Sequence, residues 1–180
     1  MKTLKSHLVC FALLSILSMQ FSNAQIAYQW QKAYGGSLND GAYSISTTND
    51  GGTIVGGYSY SGISGIKTES AYGLGDYWVL KLDADGNVEW QKTYGGSGLD
   101  VLVQVVQTAD GGYFVGGYSQ SPISGNKTEN SIAGTPDIWL LRIDGVGNIL
   151  WQTDLGGNGT DYLGDVNETS DGGCIIGGYS

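Results

Sequence analysis

Three tryptophans, Trp30, Trp90 and Trp151, recur at separations of 60 and 61 residues, and each opens the same succession of residues. The stretches read WQKAYGGSLNDGAYSISTTNDGGTIVGGYS, WQKTYGGSGLDVLVQVVQTADGGYFVGGYS and WQTDLGGNGTDYLGDVNETSDGGCIIGGYS. A fixed period marks one supersecondary unit stacked on copies of itself, so the choice of fold narrows to solenoids, propellers and arrays.

Each unit reads as strands. In the first, GAYSISTT is a β-rich run, Asn49 to Gly52 is a tight-turn signal and TIVGGYS is a second short strand. A polar, glycine-containing stretch from Tyr60 to Gly75 follows. Then come DYWVLKLD, a turn from Ala84 to Asn87, and VEWQKTYG. Two hairpins in succession predict a four-stranded antiparallel meander. The second unit repeats the order, the third reaches Ser180 after its second strand, and no helical periodicity is present after the leader.

In the third strand, Trp78, Leu80 and Leu82 alternate on one face, yet Tyr77 and Val79 on the other are also apolar; the second unit has Trp139, Leu141 and Ile143 against Ile138 and Leu140. A small sheet covered on both faces by like sheets is the packing of a propeller blade. The doublets Gly56-Gly57, Gly116-Gly117 and Gly177-Gly178 fit that packing, because glycine lets a strand bend or another backbone come close. The expected fold is therefore all-β: a β-propeller of four-stranded antiparallel blades, incomplete, with about two and a half repeats over residues 25–180. A lone outer strand, IAYQWQKAYGG, is expected before the first unit, and unpaired edges are expected in the chain taken alone.

The stretch YGGSGLDVLVQVVQTADGGYFVGGYSQS resembles the SBBP-type β-propeller repeat of secreted bacterial proteins, with its glycine-glycine-x-x-x-aspartate opening, its glycine turn and its terminal glycine-tyrosine. The resemblance covers residues 30–180 and implies a propeller in a secreted or surface protein, of a kind that often carries a C-terminal sorting domain. Kelch repeats share the double glycine but match less well, since a tyrosine six residues before the tryptophan occurs only at Tyr72 and Trp78. TNDGGTI, TADGGYF and TSDGGCI are similar to the Asp-box turn of sialidase-type propellers, with threonine for the usual serine and no tryptophan. There Asp50, Asp110 and Asp171 would accept backbone N–H groups across a tight turn, a folding role rather than a catalytic one.

Lys2 and Lys5, the apolar run Leu8–Leu17 and the small residues Ser22-Asn23-Ala24 predict an export signal over 1–24 and a secreted or cell-surface product. The apolar run is too short to span a bilayer, so no membrane-spanning segment is expected. Removing the leader takes away the sole histidine, His7, and leaves six basic against 17 acidic residues, a formal charge of −11. Such a surface repels phosphate backbones, and nucleic acid is not an expected partner.

Without histidine after the leader, neither a Ser-His-Asp or Cys-His arrangement nor a histidine metal site can be assembled there. Asp83, Asp85 and Asn87 mimic the start of a calcium loop but lack its glycine spacing and its closing carboxylate, and a hairpin turn is expected instead. Cys174 falls within a strand, as Thr53 and Tyr113 do, and is expected to pack rather than react. No catalytic residue, cofactor or metal is expected. The alternative is a carbohydrate-active propeller enzyme, lyase or hydrolase, with active residues supplied by further blades.

Alternating strand direction puts the short aspartate-glycine turns on one face of the array. The long loops Tyr60–Gly75 and Gln120–Pro136 fall on the other, with the GGSLND, GGSGLD and GGNGTD connections. Function on rigid scaffolds concentrates on such loops. The expected ligand face carries Lys67, Glu69, Asp76, Lys127, Glu129 and Asp137, together with Asp40, Asp100 and Asp161, for an unidentified extracellular protein or glycan.

Overall fold

The glycine and aspartate punctuation of each repeat divides residues 29–180, which the computed structural model describes, into short strands joined by tight turns and longer loops; the export signal expected at 1–24 lies outside the described residues. The first sheet consists of β1 (Asp40–Thr47), β2 (Thr53–Ser59), β3 (Asp76–Leu82) and β4 (Val88–Tyr94). The second consists of β5 (Asp100–Gln107), β6 (Tyr113–Ser119), β7 (Asp137–Ile143) and β8 (Ile149–Leu155), and the third of β9 (Tyr162–Glu168) and β10 (Cys174–Tyr179). Strand order follows chain order in every sheet and all pairs are antiparallel, the meander expected from two hairpins per unit. The only helical piece among the described residues is a single 3-10 turn at Ile132–Gly134 in the second long loop.

The sheets stack face to face like blades. Between the first and second lies a core of Tyr77, Val79, Leu102, Val115, Trp139 and Leu141; between the second and third lie Phe114, Leu140, Leu163 and Val166. Both faces of β3 and of β7 are buried along their whole length. The first strands β1, β5 and β9 pack successively against one another, so they line one side of the array.

The repeated glycine doublets answer two separate crowding problems. A Cβ on Gly56 would lie 2.7 Å from Leu102 Cδ2, and one on Gly116 would lie 2.6 Å from Leu163 Cδ2, so the first glycine makes room for a leucine of the next sheet. A Cβ on Gly57 or Gly117 would lie 1.8 Å from Gly41 O or 2.0 Å from Val101 O, so the second admits the neighbouring backbone. Opposite these doublets each first strand is bulged: the register slips between Ala42 and Ser44, between Leu102 and Gln104, and in the third sheet between Gly177 and Gly178. The extra residues are Tyr43, Val103 and Gly164, one per repeat.

The expected lone strand before the first unit is not a strand over residues 29–36, because among the described residues none lies alongside it to complete a ladder. It nevertheless occupies the place of an outer strand. Trp30 Nε1 donates to Ala84 O at 2.9 Å and Tyr34 Oη to Gly86 O at 2.6 Å, on the first sheet. One repeat later Trp90 Nε1 donates to Gly145 O at 3.1 Å and Tyr94 Oη to Gly147 O at 2.7 Å. The tryptophan and tyrosine of one unit thus clamp the turn between third and fourth strands of the next. Trp30 and Tyr34 also cover Trp78, Leu80 and Leu82 on the first sheet's outer face.

Candidate functional site

The residues expected to face a ligand lie largely inside. Lys67 and Lys127 are 1% and 2% exposed, and Asp76, Asp100 and Asp137 are wholly buried. Each long loop folds back on its own fourth strand: Gln91 Nε2 donates to Ile66 O while its Oε1 accepts from Thr68 N, and Gln152 does the same with Asn126 O and Thr128 N. That turns the lysine inward. Lys67 Nζ donates to Thr93 Oγ1 at 2.5 Å beside the Trp78 ring, whereas Lys127 is ion-paired with Asp154 beside Trp139. Burial holds Lys67 below the ordinary lysine pKa, with Asp76 nearby pulling the other way.

Glu69 and Glu129 lie nearer the surface, and each caps an unpaired amide of an edge strand. Glu69 Oε2 accepts from Thr93 N at 2.6 Å, with Lys92 at 3.3 Å from Oε1; Glu129 Oε2 accepts from Asp154 N at 2.8 Å. Occupying outward N–H groups in this way blunts a sheet edge against association.

The aspartates that begin the first strands tie the connections together. Asp100 accepts from Gly96 N and Ser121 Oγ at 2.8 Å each and from Ser119 Oγ. Asp40 accepts from Gly36 N at 2.7 Å and from Ser59 and Ser61, and Asp161 from Gly157 N at 2.8 Å. Repetition of Ser-Gly-x-Lys-Thr-Glu at 64–69 and 124–129 therefore serves the framework.

The Asp-box turns form as expected: Asp50 accepts from Thr48 Oγ1 at 2.5 Å and Gly52 N at 3.0 Å, and Asp110 and Asp171 repeat the pattern. Asp50 also meets Lys81 at 2.8 Å, and Asp110 meets Arg142 at 2.6 Å. The cleft of about 530 Å³ on this face, lined by Trp90 with Lys81, Glu89 and Asp110, thus holds carboxylates already engaged by cations. The calcium-like segment is a hairpin turn in which Asp83 accepts from Asp85 N at 2.9 Å and Asn87 N at 2.7 Å. No cluster of three or more metal-ligating side chains is gathered among the described residues. Cys174 is half-buried on β10, and burial raises its thiol pKa away from the thiolate form a nucleophile needs.

The sequence reading passed over the tyrosines. Where β1, β5 and β9 converge, a cavity of about 430 Å³ is lined by Tyr43, Tyr118, Tyr162 and Tyr179 with Val101 and Val103. A second cavity of about 460 Å³ shares Tyr43 and Val103 and continues to Gln104 and Asp165. The tyrosines touch one another: Tyr118 and Tyr162 meet edge to face at 4.9 Å, Tyr162 and Tyr179 at 5.4 Å, Tyr43 and Tyr58 at 5.6 Å. Partial burial and the neighbouring phenols, Tyr162 first, raise the Tyr118 pKa, so its hydroxyl remains a donor.

Tyr43 and Val103 reach the cavities because they are the bulged residues, and a bulge re-aims a side chain beside a site. The signal available in the sequence was the third letter of the repeated Gly-Gly-Tyr, at Tyr58, Tyr118 and Tyr179.

The six basic residues of the described chain are engaged elsewhere. Lys32 bonds Asn87 at 2.7 Å, Lys81 holds Asp50 and Glu89, Lys92 holds Glu69, Lys127 holds Asp154, Arg142 holds Asp110, and Lys67 is interior. None of these six lines the tyrosine cavities. Comparison with protein-family models returned no match, and comparison with curated proteins returned none.

Proposed function

We propose that this chain is part of an exported, non-enzymatic β-propeller repeat protein, a binding or display scaffold at the cell surface or outside the cell, and that its recognition surface is the tyrosine-lined groove on the side of the array lined by the first strands. The observation that carries the reading is the coincidence of bulge and cavity: the unpaired residue of each first strand falls on the groove, where phenol rings offer apolar faces and hydroxyl donors together. The cavities lie within the size range of small-ligand sites, about 300–1,000 Å³. Aromatic faces with polar tips suit sugar rings or extended peptide equally, because both present apolar edges flanked by hydrogen-bonding groups. Anionic partners are disfavoured because no basic residue lines either cavity among the described residues.

The scaffold reading is preferred to a carbohydrate-active enzyme because the repeated carboxylates are tied into turns, connections and ion pairs, whereas a glycosidase needs two opposed carboxylates free to exchange protons with substrate. The test is a panel of neutral and acidic glycans and of extended peptides, scored by tyrosine fluorescence. Binding to neutral ligands, lost in Tyr118→Ala with Tyr162→Ala and kept in Tyr118→Phe, is expected. Binding that survives both alanines, or turnover abolished by one carboxylate change, sinks the proposal.

A further inference from the structure

At each junction between sheets two aspartates face one another across a glycine. A Cβ on Gly95 would lie 1.9 Å from Asp76 Oδ1 and 2.9 Å from Asp100 Oδ2, so both carboxylates border the same glycine. One repeat on, a Cβ on Gly156 would lie 2.2 Å from Asp137 Oδ1 and 2.7 Å from Asp161 Oδ2. Asp76, Asp100 and Asp137 are wholly buried. Asp76 Oδ2 accepts from Tyr72 N at 2.8 Å and Asp137 Oδ2 accepts from Ile132 N, yet Asp76 Oδ1 and Asp137 Oδ1 have no donor at all.

A buried acceptor without a donor, beside a second carboxylate, is doubly unfavourable: it forfeits a hydrogen bond and adds like-charge repulsion. One proton removes both costs. On Asp76 Oδ1 it removes the buried lone charge, and the pair then carries one negative charge instead of two.

We propose that each junction is latched by a single proton held on the buried carboxyl, on Asp76 beside Asp100 and on Asp137 beside Asp161, and that release of this proton to water as pH rises toward neutrality loosens adjacent sheets. The groups facing the first pair are Lys67 from the long loop, which favours the charged form of Asp76, and Lys127, which acts likewise on Asp100. Tyr77, from β3, is buried against Asp100 with its own ionisation suppressed by burial. Glu69 acts on the same Lys67. The second pair faces Lys127 and Asp154, which are ion-paired with each other.

Burial is the chief cause that raises Asp76 from 3.8 to about 6, and Asp100 adds to it; burial raises Asp100 and Asp137 as well. A carboxylate whose pKa is raised on folding binds its proton more tightly in the folded state. Its contribution to stability is whole below 3.8 and is lost as pH rises to about 6.

The experiment is urea unfolding of the full chain, followed by tryptophan fluorescence from pH 4 to 8, for wild type, Asp76→Asn and Asp137→Asn. The wild-type folding constant is expected to fall about a hundredfold through Asp76 alone, as a shift of about two pH units implies. Asp76→Asn should remove that fall and be the more stable protein above pH 6. An infrared band of protonated carboxyl in wild type at pH 5, diminished in Asp76→Asn, checks the latch without any unfolding. An unchanged pH slope, or no such band, overturns the proposal. Stabilisation by calcium that Asp76→Asn abolishes also overturns it, since a metal ion would then occupy the place given to the proton.

Discussion

Lys67 and Lys127 hold the same place in successive repeats, are equally buried and lie beside equivalent tryptophans, yet they meet different partners. The fourth strand of the first sheet offers Lys67 the hydroxyl of Thr93; that of the second offers Lys127 the carboxylate of Asp154. A neutral partner leaves the desolvation of the ammonium only partly offset, by Asp76 and more weakly by Glu69 and Asp40, so Lys67 is pushed below its ordinary pKa. An ionic partner compensates it but commits a second charge to the interior, and Asp154 is left with Oδ1 unpartnered and its pKa raised by burial. One strand position thus decides whether the loop lysine is buried against a hydroxyl or against a counter-charge. Removing either half of the pair is then more harmful than removing the hydroxyl.

The largest effect expected from this contrast is in the second sheet. Asp154→Ala, which strands Lys127 in the interior, should cost about 3–5 kcal/mol, against about 1.5–3 kcal/mol for Thr93→Ala, where a hydrogen bond to an ammonium is lost. Chemical denaturation of both variants measures the difference, and equal losses would show that the two lysines are held alike. Next in size is the glycine at the junction. Gly95→Ala places a methyl against the Asp76 and Asp100 carboxylates and should cost about 1–3 kcal/mol through overpacking, while Gly177→Ala, whose Cβ would meet nothing within 4 Å, should change stability by less than about 0.5 kcal/mol.

The smallest effect is in the exposed turns, where the comparison is between Asp110 and Asp171. Asp110 is held at about 2, first by the Thr108 hydroxyl, then by the Gly112 amide and by Arg142; Asp171 is lowered by Thr169 and Gly173, with no cation. A carboxylate lowered on folding contributes stability that is present above 3.8 and is lost as pH falls, for Asp110 toward 2. In an NMR titration Thr108→Val and Arg142→Gln should each raise the Asp110 pKa; no change in Arg142→Gln would assign the turn to the hydroxyl and the amide alone.

Much of the fold was legible because its signals are local. Trp30, Trp90 and Trp151 set the period, the aspartate-glycine turns set the hairpins, and alternation in DYWVLKLD with both faces apolar set the stacking. The candidate site was not. Lys67, Glu69, Lys127 and Glu129 look like solvated loop residues until Gln91 and Gln152 are seen to fold each loop back on its own fourth strand, a contact some 25 residues away in sequence. The tyrosines of Gly-Gly-Tyr were visible as letters but not as a cluster.

By itself, then, the sequence determined a tandem all-β array of hairpins, its turn chemistry and its acidic balance, since periodicity, turn residues and charge act between near neighbours. Only the tertiary structure decided which charges are interior, where carboxylates face one another across Gly95 and Gly156, and where Tyr43, Tyr118, Tyr162 and Tyr179 converge. Those outcomes depend on how one sheet seats against the next, and on a one-residue bulge in each first strand, which no spacing along the chain records.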